Sequence, residues 1–329
     1  MKKILYFLLT IASLPAFGQF RPQHTQYLLN NYLLNPAITG IEEYVDVQTG
    51  YRSQWTSVEG APQTLHLSVH APVSGTGRYQ GLNKVPAKDQ TQRTGTNRYR
   101  RQHGHHGLGG TLMADQVGPF TRKEVQLSYA YHLPVSRSTT LSAGLAGGWM
   151  QQRLNEGQLV LTDPDDPTVL SGGQNSGKPL LSMGLWAYGP KAYVGASVTQ
   201  VFRATNQPEV VADARMLHAY VTAGYRLELS PWVALQPAAL LRLSQQSPVA
   251  YDVSLRAIWN QRMWIGAAYR SSQEVSVLAG LHVNELLSIA YAYDTSTGRF
   301  SQYSSGSHEV VLNLRLLNRR KELCPQQLW

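Results

Sequence analysis

Cysteine and long apolar runs are the two features that this chain of 329 residues has least of. Cys324 is its single cysteine, which excludes an internal disulfide framework and a cysteine-rich zinc site. Beyond the N-terminal residues, no stretch approaches the roughly 20 apolar residues that a membrane-spanning helix requires. The fold is therefore expected to form without disulfides, structural zinc or transmembrane helices.

The N-terminus carries the pattern of a secretory signal peptide. Lys2 and Lys3 precede an apolar run from Ile4 to Leu14, and small residues follow at 16–18. A run this short, with a charged start and a small-residue cleavage site, is typical of export and too short to cross a membrane. The sequence predicts a signal peptide over 1–18. Two classes remain for the rest: a soluble exported β-protein, or a β-barrel of the outer membrane.

Apolar and polar side chains alternate strictly along much of the chain, as in "YVDVQTGYRSQW" over 44–55. A period of two indicates strands with one apolar face. Most of the strands so defined have about 9–13 residues, longer than the ~5–6 typical of soluble sheets and close to the ~9–11 of tilted membrane strands. The fold class predicted is all-β, an antiparallel up-and-down outer-membrane β-barrel over 43–317. Its fourteen strands lie near 43–55, 63–72, 107–115, 123–133, 139–152, 179–188, 191–201, 216–229, 232–244, 249–259, 262–271, 274–283, 286–294 and 307–317.

The connections between these strands differ in length in a regular way. Two-residue connections at 189–190, 230–231, 260–261 and 284–285 alternate mostly with longer ones. Outer-membrane barrels have short periplasmic turns and longer extracellular loops. The tight turns are therefore predicted to face the periplasm, and an even strand count places both ends of the barrel domain there too.

Charged residues recur on the face opposite the apolar one. In a dry core such charges would have to be paired, whereas a polar lumen accommodates them as hydrated ion pairs. The sequence predicts a structural charge network in the lumen rather than a set of substrate contacts. Its members are Asp46, Arg52, Arg242, Asp252, Arg256, Arg270, Asp294 and Glu309.

Basic charge is concentrated in one connection, residues 74–106, which has almost no large apolar residue and a single acid, Asp89. Such a segment cannot build a core and predicts an exposed basic loop, on the periplasmic side by strand parity. It is interpreted as a docking surface for an acidic envelope partner, with a merely solvated loop as the alternative. A tail over 318–329 adds basic charge on the same side. The candidate docking residues are Arg78, Lys84, Lys88, Arg93, Arg98, Arg100 and Arg101.

The segment 19–42 precedes the first strand. Tyr27, Leu28, Tyr32 and Leu33 follow a roughly helical spacing that ends before Asn35-Pro36. The sequence leaves two places for it: plugging the lumen, or lying in the periplasm beside the barrel mouth.

Catalytic and metal-binding patterns are weak. His103, His105 and His106 form a histidine cluster without the fixed geometry of a metal site. The acidic "DPDDP" at 163–167 departs from a calcium loop, and neighbours in "GSHE" at 306–309 point to opposite faces of a strand. No catalytic residue, metal site or cofactor is predicted, and the protein is not expected to be an enzyme.

Eight stretches, taken in order, resemble the PorP/SprF family of the type IX secretion system in Bacteroidetes. They are "LLNPAITG" (33–40), "YRSQWTSVEGAPQT" (51–64), "HGLGGTLMADQVGPF" (106–120), "YVGASVTQVF" (193–202), "AGYRLEL" (223–229), "WIGAAYR" (264–270), "YAYD" (291–294) and "GSHEVVL" (306–312).

The resemblance implies an outer-membrane barrel of the secretion and gliding machinery, without enzymatic activity. Its implied partners are type IX secretion components, a secreted adhesin's C-terminal domain, or both. It would assist export or surface anchoring of that secreted protein, and an exported protein is not expected to bind nucleic acid. A fourteen-stranded solute-transport barrel for hydrophobic substrates is the first alternative, and an outer-membrane enzyme the second.

Overall fold

A computed structural model of the protein describes residues 30–73, 104–136, 138–155, 175–201, 217–244, 247–302 and 304–318. The predicted signal peptide, the seven candidate docking residues and nearly all of the tail lie outside these ranges. Among the described residues, helices are confined to short 3₁₀ turns, and none has the length and apolar character needed to cross a bilayer.

Fourteen antiparallel strands build the fold, and the predicted all-β class is confirmed. Because apolar and polar residues alternate along each strand, the strands each have one apolar and one polar face. Their bounds are β1 Val45–Ser53, β2 Gln63–Val73, β3 His105–Val117, β4 Phe120–Pro134, β5 Thr140–Leu154, β6 Asn175–Tyr188, β7 Ala192–Val201, β8 Leu217–Tyr225 with Leu227–Glu228, β9 Val233–Ser244, β10 Ser247–Trp259, β11 Met263–Arg270, β12 Glu274–His282, β13 Leu287–Ser296 and β14 Ser307–Leu316.

The sheet closes on itself because the last strand pairs with the first. β14 runs antiparallel to β1, with Leu316 opposite Val45 and His308 opposite Ser53. Each remaining strand pairs with its neighbours in the sequence. Closure leaves no unpaired edge, and therefore every strand satisfies its backbone groups within the sheet, as a lipid environment requires.

Pro237 interrupts one ladder, as its missing N–H requires. β9 pairs with β8 at Ala238–Gly224 and again at Leu235–Leu227, and the register is the same on both sides of the gap. Between them Arg226 leaves the strand, and its N–H donates to Lys191 O at 2.7 Å. The irregularity at Pro237 is therefore a break in β8 that leaves the register unchanged.

The barrel has two distinct ends. We call the end where β1 begins and β14 finishes the terminal end, and the opposite one the loop end. Most tight turns lie at the terminal end, whereas those at 118–119 and 271–273 lie at the loop end. In one turn of the terminal end Asn260 and Gln261 both have positive φ, 48° and 54°, and Arg262 N donates to Trp259 O at 3.0 Å. These are the features of a type I′ turn, the hairpin turn that matches strand twist.

The outer face is apolar and exposed, as at Leu127 and Ile265, which are 73% and 68% exposed. Aromatic side chains mark its limits on β10, where Trp259 lies at the terminal end and Tyr251 near the loop end. The eight steps between them span about 27 Å along the strand, or about 20 Å of depth at the usual tilt. This height suits the apolar band of an outer-membrane barrel.

Candidate functional site in the barrel interior

A segment of the chain itself lies inside the barrel. We call residues 30–44 the luminal segment. Two 3₁₀ turns, Asn31–Leu33 and Pro36–Ile38, replace the longer helix that the spacing of its apolar residues suggested. Asn35 starts the second turn, because its side chain accepts a hydrogen bond from Ala37 N at 2.9 Å and Pro36 fixes the next φ.

The luminal segment is bound to the inner wall from β2 to β7 by hydrogen bonds. Its carbonyl groups accept from wall side chains instead of from a helix, which explains why the helical spacing does not become a helix. Ser197 Oγ donates to Leu34 O and Ser142 Oγ to Ala37 O, each at 2.6 Å. Ala37, Ile38, Thr39 and Ile41 of the segment are all at most 1% exposed.

Asn35 and Tyr32 are the two side chains of the luminal segment that reach across to different strands. Asn35 Nδ2 lies 3.1 Å from Leu185 O on β6 and 3.2 Å from Ala196 O on β7. The hydroxyl of Tyr32 is 2.6 Å from Ser128 Oγ on β4. Burial raises the pKa of Tyr32 to about 12, so this hydroxyl keeps its proton at neutral pH.

Three inward histidines hold the Thr39–Gly40 peptide near the terminal end. His132 Nε2 is 2.9 Å from Thr39 O, and His105 Nε2 is 3.1 Å from Gly40 O. Because a carbonyl oxygen only accepts, both rings present Nε2–H. Gly40 N in turn donates to His70 Nδ1 at 3.3 Å. The rings of His105 and His132 stack, with centroids 4.3 Å apart and planes at 6°. We call His70, His105 and His132 the histidine clamp.

Inward glycines give the luminal segment its room. A Cβ added at Gly144 on β5 would lie 2.5 Å from both N and Cα of Ala37. One added at Gly184 on β6 would lie 2.8 Å from Cγ of Asn35, and one at Gly107 on β3 would lie 2.5 Å from C of Thr39. Real side chains do not approach so closely, so these positions form a glycine seat that the sequence needs only because the segment is there.

The opposite part of the wall carries the charged residues. Arg52 on β1 pairs with Asp294 on β13 and lies 3.1 Å from Glu309 Oε2 on β14. All three side chains are at most 3% exposed. This trio joins the first strand to the last two, across the closure of the barrel.

A second charged cluster lies farther along the wall, also near the loop end. Asp252 on β10 is 2.5 Å from Arg242 on β9 and 3.4 Å from Arg270 on β11. Arg270 also lies 2.5 Å from Glu274 at the start of β12. The two cations and two anions alternate around four strands, so each buried charge has an opposite neighbour.

Arg256 lies apart from both clusters, deeper in the interior. Its Nη2 donates to Gln236 Oε1 at 2.6 Å, and its guanidinium carbon lies 5.1 Å from the centre of the Trp264 ring. Trp264 belongs to a buried apolar layer shared by six strands. The layer consists of Ala234, Ile258, Trp264, Leu278, Ala290, Ala292 and Val311.

Asp46, the last of the charges predicted to line the lumen, lies near the terminal end. Asn313 Nδ2 donates to its Oδ1 at 2.6 Å. Parity alone therefore placed the eight predicted residues on the inner face, but the structure divides them into two charged clusters and two separate positions, Asp46 and Arg256.

The other candidate chemistry separates in the structure. Ser307 Oγ accepts from Trp55 N at 3.1 Å and Glu309 pairs with Arg52, whereas His308 faces outward and contacts Tyr291 OH at 2.6 Å. His105 and His106 also face opposite ways. In the part of the chain that the structure describes, no three His, Cys, Asp or Glu side chains are grouped as metal ligands.

The sequence reasoning missed the histidine clamp, the glycine seat and Glu274. One sequence pattern indicates the clamp and the seat: His70, His105 and Gly107 stand at inward positions, where the strands of a membrane barrel usually have small polar residues. Glycines that recur at inward positions of successive strands would have indicated the surface against which another backbone packs.

Comparison with known proteins gives a family and several barrels. Residues 16–314 match the family described as type IX secretion system membrane protein PorP/SprF. The Acinetobacter baumannii outer membrane protein Omp33 is 8% identical, with 84% of this chain and 100% of that chain covered and a TM-score of 0.46. The CymD monoaromatic hydrocarbon channel is 13% identical, with 90% and 93% covered and a TM-score of 0.44. No curated protein matches the chain.

Proposed function

Because the chain belongs to the type IX secretion system membrane protein PorP/SprF family, we propose that it is a non-enzymatic outer-membrane component of that machinery which assists export or surface anchoring of a secreted protein. The closed barrel with its apolar outer face supports the outer membrane as its location. Within this proposal, the barrel serves as a fixed scaffold, and its partners bind at its two ends.

The filled interior is the observation that carries the scaffold role. The luminal segment is bound to β2 through β7, and its central residues are at most 1% exposed. The remaining wall brings ion pairs and an apolar layer into the interior. A barrel filled in this way is suited to holding partners rather than to passing solutes. Plugging of the lumen by the segment 19–42 is part of this proposal.

Docking to periplasmic components is proposed for the basic insert. β2 ends at Val73 and β3 begins at His105, both at the terminal end, so the insert leaves the barrel beside the tight turns. With the tight turns in the periplasm, this insert of seven cations and one acid is proposed to belong to the periplasmic side. Charge of this density is suited to an acidic protein surface.

Deletion of 76–103 tests the docking proposal in cells. The barrel is expected to assemble normally, while co-purification with periplasmic type IX components falls and less cargo reaches the surface. A shorter control deletion, of 158–172 in a connection at the loop end, is expected to leave co-purification intact. A second variant keeps the length of the insert and changes its seven Lys and Arg residues to Gln, which separates charge from length.

Unchanged co-purification in both insert variants would refute the docking role. Conductance of the purified protein in planar bilayers tests the scaffold role separately. Wild-type protein is expected to be silent, and a stable open conductance would instead support a solute-transport barrel.

A further inference from the structure

The outer wall of the barrel carries almost no charge. Among the described strand residues, Lys123 on β4 and Arg153 on β5 are the only Lys, Arg, Asp or Glu side chains at outward positions. Every other charged residue described in a strand has the inward parity, as the paired ones listed above do. A cation directed at lipid has a cost that is about 2–4 kcal/mol at mid-depth and small only near the interface. Two such cations on one small patch therefore call for a ligand that offsets this cost.

The two cations are neighbours on the outer face. Lys123 lies opposite Gln151, and Thr121 lies opposite Arg153, so the two side chains are diagonal across the β4–β5 pair. Diagonal positions have Cβ atoms about 7–8 Å apart, and both side chains are long enough to reach one group between them. Neither forms an ion pair within the described residues, and both are exposed.

In the part of the chain that the structure describes, no acidic side chain lies beside them on the outer face. The outward residue of β3 opposite Lys123 is Ala114, and the residue of β6 opposite Gln151 is Gly177. The carboxylate next to Lys123 in the sequence, that of Glu124, is buried on the inner face and pairs with Arg122 at 2.7 Å. Within the described residues, the patch therefore presents two positive charges without a neighbouring carboxylate.

An apolar footing lies directly below the cations, toward mid-barrel. Trp149, 54% exposed, is opposite Val125, and its ring covers Gly177, where an added Cβ would lie 2.6 Å from the ring. Leu127 continues this apolar surface at 73% exposed. Positive charge above an aromatic and aliphatic surface is complementary to a lipid: an anionic headgroup above acyl chains.

The geometry points to a binding site for a phosphorylated glycolipid of the outer leaflet, with its phosphate held between Lys123 and Arg153 and its acyl chains on Trp149, Val125 and Leu127. The patch is at the loop end, which faces the cell exterior when the tight turns are periplasmic. Guanidinium binds phosphate through paired hydrogen bonds, and the ammonium adds a compact charge. Gln151, outward between them in register, places an amide beside the sugar.

Binding of diphosphoryl lipid A to the purified full chain in nonionic detergent tests this site, measured by native mass spectrometry. Each basic residue near an anionic lipid surface contributes about 1 kcal/mol, which is about fivefold in affinity. The double variant Lys123→Gln/Arg153→Gln is expected to bind about 25-fold more weakly. Its matched control is Lys191→Gln/Arg262→Gln, which removes two exposed cations from the terminal-end turns and is expected to bind like the wild type.

Four results would overturn the proposal. Equal losses in the two double variants would show binding that depends on net charge alone. Equal binding of dephosphorylated lipid A would exclude the phosphate, and equally tight binding of phosphatidylglycerol would exclude an outer-leaflet glycolipid as the occupant. Displacement of lipid A by millimolar inorganic phosphate would show a site for the free anion. Heat-modifiable electrophoretic mobility of each variant, expected to match the wild type, verifies that the barrel has formed.

Discussion

Gly144→Ala is the sharpest perturbation of the luminal segment, because it adds a single methyl group where that segment touches the wall. The new Cβ would lie 2.5 Å from N and from Cα of Ala37, about 1 Å inside ordinary contact. Both are backbone atoms, which cannot rotate away, so either the segment or strand β5 has to shift. The segment is expected to move, since β5 is held by full ladders to β4 and β6.

The size of the effect follows from two terms. Overpacking by one methylene-sized group costs about 1–3 kcal/mol. A shift of the segment also weakens the hydrogen bond from Ser142 Oγ to Ala37 O, worth about 0.5–1.5 kcal/mol. Together they predict that the seated state loses about 2–4 kcal/mol, so the displaced population rises by about 30- to 1,000-fold.

A buried reporter cysteine measures that population. Asn31, 1% exposed, is changed to Cys in a Cys324→Ser background, and maleimide labelling of the folded barrel is timed. Labelling requires the segment to leave its seat, so the rate is expected to rise with Gly144→Ala by the factor given above. Gly147→Ala is the matched control on the same strand: it faces outward, and an added Cβ meets nothing within 4 Å.

Equal labelling rates in the Gly144→Ala and wild-type proteins would refute the reasoning, because the methyl group would then have been accommodated without moving the segment. A faster rate in Gly147→Ala as well would show that glycine loss loosens β5 generally. The temperature at which each variant loses its folded mobility on gels separates release of the segment from unfolding of the barrel.

Two other substitutions test the two faces of the wall. Arg270→Met is expected to lower the free energy of unfolding in detergent by about 3–5 kcal/mol, because it leaves the carboxylates of Asp252 and Glu274 without their shared cation. Guanidinium titration measures this loss, with the exposed Arg262→Met as control. Equal free energies of unfolding for the two variants would contradict the expectation. Leu127→Arg is expected to cost about 2–4 kcal/mol of folding into lipid vesicles, since it lies at mid-strand on the lipid face. Ser53→Arg, on the same face near the loop end, is expected to cost at most about 1 kcal/mol of folding free energy.

Strand number and facing were predictable because lipid and lumen select opposite side chains at every second position. Local alternation carries that information, and it placed β4 and β10 within a few residues of their observed bounds. Strand ends were less predictable. β3 begins at His105 rather than 107, because His105 and His106 point to opposite faces and hydrogen-bond to the luminal segment and to Tyr129 respectively. Neither contact has a local sequence pattern.

The partners of the inward charges were not predictable, for a different reason. Arg52 and Glu309 are 257 residues apart and meet only because the barrel closes between β1 and β14. Alternation fixes the face on which a charge lies, but its partner depends on the register of two strands and on closure. The same holds for the luminal segment, whose apolar spacing suggested a helix. Its carbonyl groups instead accept hydrogen bonds from Ser142, Ser197 and His132 of the wall.

The interior of this barrel is divided between two kinds of filling, and the division constrains where function resides. From β2 to β7 the wall is adapted to a backbone: glycines leave space at Gly107, Gly144 and Gly184, and side-chain donors meet the carbonyl groups of the segment. Beyond β8 the wall fills its own space with ion pairs and an apolar layer. Each glycine within a strand costs conformational entropy. The glycines therefore stabilise the barrel only when the segment occupies the space that they leave. They thus favour the seated state, and with the interior filled in this way the proposed binding of partners and lipid falls to the ends and the outer surface.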